Sequence, residues 1–297
     1  MTLSDMDLFL LSQCAISAAY QAGAIISSHA NKDVAVISKS GGDSLAAQVV
    51  TEVDHLSQDC ILNILKPTCA PFDLAILSEE SPDDQARLEK DFFWCVDPMD
   101  GTLCFTRSVP GYSVAIALVS KTGEPYIGVI YDPVAKTLYH AQKGLGAFRN
   151  GKKLTLAPAV KSQPLTFVYD PSFIQHPFRE NIKAGLEKIT QTLGYTELNI
   201  NLYGGSAMNA CIALDSAPAC YFKYPKANEG GGSLWDFAAT ACIFQQAGGV
   251  ATDISGKPLD LNRPDSTFMN HTGVLFATDK DIAEQVVALH KAHLTII

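Results

Sequence analysis

The sequence predicts an α/β protein, α+β in its first half and α/β in its second. Helical spacing of apolar residues opens the chain, and β-rich runs broken by turn residues follow to about residue 154. From about Thr155 single strands alternate with helical patterns. This change of texture divides the chain into an α+β domain over 1–154 and an α/β domain over 155–297, in keeping with roughly 150 residues per domain. No internal repeat or long linker separates them, so the halves are expected to pack tightly.

Ser4 with Asp5 and Asp7 marks a helix start, and Leu8, Leu11, Ala15, Ala18, Ala22 and Ile25 recur at helical spacing to about Ser28. A polar, flexible loop is predicted over Ser38–Ser44. A second helix begins near Thr51, with Val53, Leu56, Cys60 and Ile64 inward and Pro67 as its stop. Leu74–Leu77 is a short strand running into Ser78-Glu79-Glu80-Ser81, and Phe92–Val96 is a buried strand ending at Asp97. Ser113–Ser120 and Tyr126–Tyr131 form a hairpin across Thr122-Gly123, and Leu138–Gln142 with the Asn150-Gly151 turn continues the antiparallel sheet. In the second half, strands are expected at Leu165–Tyr169, Ala219–Tyr224 and Val274–Ala277. Helices are expected at Arg179–Leu193, Ala207–Leu214, Trp235–Ala247 and Asp281–Lys291.

The chain has 297 residues, 47% of them hydrophobic, enough for a large core. Acids occupy its opening, where a signal peptide carries bases, and no apolar run approaches the ~20 residues that cross a bilayer, so a cytoplasmic protein without membrane partners is expected. A formal charge of −9 and the lack of a basic run argue against nucleic-acid polymers as partners. Eight cysteines without a Cys-x-x-Cys pair read as reduced thiols, with Cys104 the one to watch for reactivity.

Chemistry is expected at Asp97-Pro98-Met99-Asp100-Gly101-Thr102. Two carboxylates at a strand end, a stiffening Pro98 and a permissive Gly101 suit hard divalent cations beside a phosphate. A plain surface turn has the same composition. Glu79, Glu80 and Asp236 also stand at element ends, where open α/β folds place ligands. Singly, Glu79-Glu80 reads equally as a solvated turn and Asp236 as a helix N-terminal acid.

Together, Thr51-Glu52-Val53-Asp54, Ser78-Glu79-Glu80-Ser81, Asp97-Pro98-Met99-Asp100-Gly101-Thr102 and Trp235-Asp236 followed by Ala247-Gly248-Gly249 resemble the inositol monophosphatase superfamily, which includes the 3′(2′),5′-bisphosphate nucleotidases. The resemblance spans nearly the whole chain. It implies a layered αβαβα sandwich of the inositol monophosphatase/fructose-1,6-bisphosphatase type and two or three Mg2+ ions. It also implies a homodimer and hydrolysis of a small phosphate ester by metal-activated water. By the same resemblance, Glu79, Asp97 and the carbonyl of Met99 hold one ion, and Asp97, Asp100 and Asp236 hold a second. Thr102 and Asp54, with Glu79 and Glu80, form the catalytic set. Gly101, Thr102, Asp236, Glu229 and the loop residue Lys39 are the substrate contacts it suggests. An inositol monophosphate-type ester and a bisphosphate nucleotide both remain open, because Leu103-Cys104 matches neither branch. A non-catalytic sensor of a phosphorylated ligand or metal is the competing class.

Overall fold

The structure is a computed structural model that describes residues 2–32, 34–38, 49–170, 173–174 and 178–294. Helix α1 (Asp5–His29) is capped by Ser4 and Asp7, which bond reciprocally across the first turn. By length and mean hydropathy α1 qualifies as a membrane-crossing helix. The sequence reading missed this because the apolarity is spread over alanines interrupted by Ser and Gln rather than gathered in one run. In the fold its Leu11, Ala15, Ala18, Ala22 and Ile26 are fully buried against protein.

Strands β1 (Val36–Ser38) and β2 (Val49–Thr51) pair antiparallel. The loop between them, with Lys39, lies outside the described residues. Helix α2 (Glu52–Phe72) does not stop at Pro67 but runs through Pro67 and Pro71 to a left-handed cap at Asp73. Each proline removes one backbone bond, and packing compensates. Thr68 Oγ1 donates to the Leu65 carbonyl at 2.6 Å and accepts from Trp94 Nε1 at 3.0 Å, tying this turn to the sheet. The buried face also differs in phase from the expected one. Asp54, Ser57, Gln58, Ile61 and Leu65 point inward and Leu56 is exposed, because three polar side chains of this face serve the sheet below it.

That sheet takes β3 (Leu74–Ser78), β4 (Phe92–Asp100), β5 (Ser113–Ser120), β6 (Pro125–Asp132), β7 (Thr137–Gln142), β8 (Gly146–Arg149) and β9 (Lys152–Leu154) in chain order. Only β3 and β4 run parallel; the other pairs are antiparallel. A second sheet has the order β11-β10-β12-β14-β13, from β10 (Leu165–Tyr169), β11 (Leu198–Leu202), β12 (Ala219–Lys223), β13 (Val250–Thr252) and β14 (Val274–Ala277). Strands β11 and β13 were not anticipated. The first, Leu198-Asn199-Ile200-Asn201-Leu202, does alternate but is only five residues long and partly buried, and the second has three residues, too few for a period to show.

Among the described residues five further α-helices follow: α3 (Thr102–Thr106), α4 (Arg179–Thr192), α5 (Ser206–Asp215), α6 (Leu234–Ala247) and α7 (Lys280–Leu294). Three apolar clusters separate the layers. Helices α1 and α2 cover the outer face of the first sheet, where Trp94, Val96, Ile116 and Val129 are buried. Between the sheets, α5 and α6 pack Phe237 and Phe244 against Phe93 and Cys95 on one side and Tyr221 and Phe276 on the other. Helices α4 and α7 cover the far face of the second sheet through Ile182, Leu186, Ile282 and Val286. The result is the αβαβα sandwich. Its middle layer brings the N-termini of α5 and α6 to the end of β4.

Candidate active site

Strand β4 continues past Val96 instead of ending there. Asp97 pairs with Ala115 and Asp100 with Ser113, so the chain bulges between them and then resumes its pairing. Pro98, which has no N–H to offer a ladder, sits within the irregularity. Its carbonyl accepts from Ser57 Oγ at 2.7 Å, which fastens the bulge to α2. Gly101 then turns with φ +85, and a Cβ there would collide with the Gly111 carbonyl, so a side chain is excluded twice over.

Helix α2 organises the first wall. Its cap residue Thr51 donates to Asp54 Oδ2 through the backbone at 2.8 Å and through Oγ1 at 2.6 Å. Asp54 Oδ1 is left for Thr102 Oγ1, which donates to it at 2.8 Å and lies 3.1 Å from the Met99 carbonyl. One turn on, Gln58 clamps the Glu79-Glu80 turn. Its Oε1 accepts from Ser78 Oγ at 2.5 Å and Glu80 N at 3.2 Å, and its Nε2 donates to the Glu80 carbonyl at 3.2 Å. Glu79 N also donates to the Val96 carbonyl at 3.1 Å, placing Glu79 beside Asp97. Ser57 and Gln58 escaped the sequence reading. Their only trace there is the i, i+3, i+4 spacing with Asp54 on one helix face.

The second wall comes from the other half. Asp100 accepts from the amides of Ser206 at 3.1 Å and Ala207 at 2.9 Å, the first residues of α5. Gly205 permits this approach, because a Cβ on it would overlap the Asp100 carboxylate. Asp236 stands in the first turn of α6 and accepts from Ser233 N, so the N-terminal acid expected there is realised. It has a second setting as well: carboxylate oxygens of Asp97, Asp100 and Asp236 all lie within 4.8 Å of one another.

Electrostatics make this cluster unusual. Burial, then Glu79 and Asp100, push the Asp97 carboxyl well above the ordinary range. Burial and Asp236 do the same to Asp100. Asp236 is also raised, by burial, although the Lys223 ammonium opposes the shift. Asp97 Oδ2 is buried without a hydrogen-bond partner among the described residues. Close, desolvated carboxylates with an unserved oxygen fit a hard divalent cation. Burial likewise raises Asp54, outweighing its bonds from Thr51 and Thr102.

Glu229 is exposed, and its charge is felt by Arg263. From the same stretch it is Lys223, the last residue of β12, that faces the acids. Its Nζ lies 3.1 Å from Asp170 Oδ2 and 3.0 Å from Ser206 Oγ. All eight cysteines are free, and burial raises the Cys104 thiol, the opposite of what a reactive thiolate requires.

Acids at the mouth of a bulged strand, met by two helix N-termini in an αβαβα sandwich, define a phosphoric monoester hydrolase of known kind. Residues 7–294 match the inositol monophosphatase family, and the chain belongs to it. It is 29% identical to human inositol monophosphatase 2 over 84% of this chain and 82% of that one. It is 27% identical to the fructose-1,6-bisphosphatase/inositol-1-monophosphatase of Thermotoga maritima, over 80% and 84% of the two chains. The inositol monophosphatase structure from Anabaena (Nostoc) superposes with a TM-score of 0.68 at 22% identity, covering 96% of this chain and 97% of that one.

Proposed function

We propose that the protein hydrolyses a small phosphate monoester with Mg2+, using water as the nucleophile, and that an inositol monophosphate-type ester is its substrate. The observation that carries this reading is the Thr102 hydroxyl held against Asp54 beside three clustered carboxylates. Glu79, Asp97, the Met99 carbonyl, Asp100 and Asp236 would hold two ions, and a weaker third would sit near Glu79. When bound, the ions supply charge neutralisation for the phosphate and acidity for water.

The chain's own residues orient the reaction. Of the two acceptors around Thr102 Oγ1, only Asp54 can take up a proton, since the other is a carbonyl. Thr102 therefore accepts from the attacking water and passes a proton toward Asp54. Burial raises the proton affinity of Asp54, which favours it as the acceptor of that proton. The amides of Gly101 and Thr102 would orient the phosphate oxygens. Glu80, whose backbone Gln58 holds, and Glu79, whose N–H donates to the Val96 carbonyl, would complete the acidic wall. The phosphorus–oxygen ester bond breaks as the bond to water oxygen forms, and solvent protonates the departing alcohol. A 3′(2′),5′-bisphosphate nucleotide is the alternative substrate, favoured by the lysine beside Asp100 and Asp236. We place the enzyme in the cytoplasm as a homodimer; its eight free thiols suit a reducing compartment.

Release of inorganic phosphate from inositol 1-phosphate with and without Mg2+ tests the reading. Mg2+-dependent release is expected. Binding of the ester without any release would replace the enzyme by a sensor.

A further inference from the structure

Arg87 is a buried cation that the reaction as described does not use. Its side chain is only 1% exposed, in a single 3₁₀ turn (Ala86–Leu88) that follows the Glu79-Glu80 turn and packs on β3. Nε donates to Asp83 Oδ2 at 2.8 Å, and Nη1 donates to Asn262 Oδ1 at 2.7 Å and to the Arg263 carbonyl at 2.9 Å. Asn262 answers with Nδ2, which donates to the Arg87 carbonyl at 3.2 Å and to the Lys121 carbonyl, just beyond β5, at 2.9 Å. The two residues stand 175 positions apart. A buried ion pair adds little net stability, because desolvation of the guanidinium offsets the attraction. A rigid fork of donors does fix direction and register.

What that register serves lies at the other end of the same segment. Beyond Asn262 and Arg263 the chain runs along the start of α6. The Thr267 carbonyl accepts from Leu234 N at 2.9 Å, Phe268 bridges Ser233, and Met269 N donates to the Gly232 carbonyl at 2.9 Å. Residues 262–269 therefore form a strap. One end grips the segment that follows Glu79 and Glu80, and the other grips the residues that open α6 just before Asp236. The clustered carboxylates come from both halves of the chain, and like charges push those halves apart until a cation enters. Asp100 is held by the first amides of α5, whereas Glu79 and Asp236 stand on turns that the strap joins. We propose that Arg87 is a positioning residue: latched to Asn262, it fixes Glu79 relative to Asp236, so that the ions meet preorganised ligands from both halves. The inference rests on the metal assignment in the reading above and adds what holds it.

Calorimetric titration of Mg2+ into the full chain, without ester, tests it. Asn262→Ala breaks the latch and leaves Arg87 its Asp83 partner, and Arg87→Lys keeps the charge but cannot reach both Asn262 and the Arg263 carbonyl. Each is expected to weaken Mg2+ binding about tenfold, the low end for an outer partner of a metal. The kcat at low Mg2+ should fall with it and recover at high Mg2+, with KM for inositol 1-phosphate unchanged. Tyr139→Phe is the control. It deletes a part-buried hydrogen bond of 2.6 Å to Asp215, the last residue of α5, and should leave Mg2+ affinity at the wild-type value. Melting curves in EDTA establish that each variant is folded at the titration temperature, and Asn262→Ala carries the test alone if Arg87→Lys is not. Unchanged Mg2+ affinity in the folded latch variants overturns the proposal, and so does an equal weakening in Tyr139→Phe. Weakened Mg2+ binding in the latch variants, with no phosphate release from any ester by the wild type, sustains the latch and overturns the phosphomonoesterase reading. No Mg2+ binding by the wild type overturns both.

Discussion

Thr102 Oγ1 donates to Asp54 Oδ1 at 2.8 Å, while Thr51 saturates the opposite oxygen of the same carboxylate. The pair joins α2 to the first residue of α3, and Asp54 thereby has a single oxygen committed to one hydroxyl. If Thr102 relays the water proton, Thr102→Ala lowers kcat by about 10²–10⁴ with a small change in KM, and Thr102→Ser retains most activity. Steady-state kinetics decide it, and an unchanged kcat in Thr102→Ala removes the relay.

Asp97 and Asp236 repel each other across the cluster when no cation is present. Asp97→Asn and Asp236→Asn should therefore lose more than about a hundredfold in turnover, beyond what an outer partner of a metal costs. Without metal the variants should melt at or above the wild-type temperature, because one buried charge is gone. Calorimetric scans in EDTA check this, and a large drop in melting temperature contradicts it.

The raised carboxyls of Asp97 and Asp100 fix the sign of a pH effect. Each binds its proton more tightly folded than unfolded, so the stability it contributes is complete below the ordinary carboxylate pKa of about 3.9 and is lost as pH rises toward the folded value. Metal-free protein should thus lose stability as pH rises through that window. The gain from Mg2+ should grow from about pH 5 to about pH 8, because protons compete for the same oxygens. Melting curves with and without Mg2+ across that range test the prediction, and a gain independent of pH refutes it.

Gln58 bonds the Glu79-Glu80 turn three ways, and Leu56 on the opposite side of the same helix bonds nothing in the site. Gln58→Ala should cost about 1–3 kcal/mol of stability and weaken Mg2+ binding. Leu56→Ala should stay within about 0.5 kcal/mol. Chemical denaturation and calorimetric Mg2+ titration separate the two, and equal effects would contradict the observed helix phase.

Much of the site was legible because its chemistry is local. Asp97-Pro98-Met99-Asp100-Gly101-Thr102 packs two carboxylates, a bulge-forming proline and a glycine that must adopt positive φ into six residues. The capping box of Thr51 and Asp54, and the helix start at Asp236, are equally short-range. Strand and helix periodicity likewise mark most strands of the two larger sheets and the long helices, whereas β1, β2, β11 and β13, three to five residues each, are too short to stand out.

What the sequence by itself determined, then, was the order of elements, the acids and their kinship with a family of phosphatases. Tertiary structure alone decided which residues share the crevice. Pro67 failed to stop α2 because Thr68 and Trp94 hold that turn against β4, a contact 26 residues apart. Ser57 and Gln58 became supports of the site only once the helix phase was set by packing on the sheet. Lys223 lies six positions before Glu229, and nothing in the sequence singles it out. The strand direction of β12 turns the first toward Asp170 and Ser206, and the segment beyond it carries the second to solvent. Contacts across a hundred or more positions, such as Ser206 with Asp100, leave no periodic signature, because burial and sheet order create them.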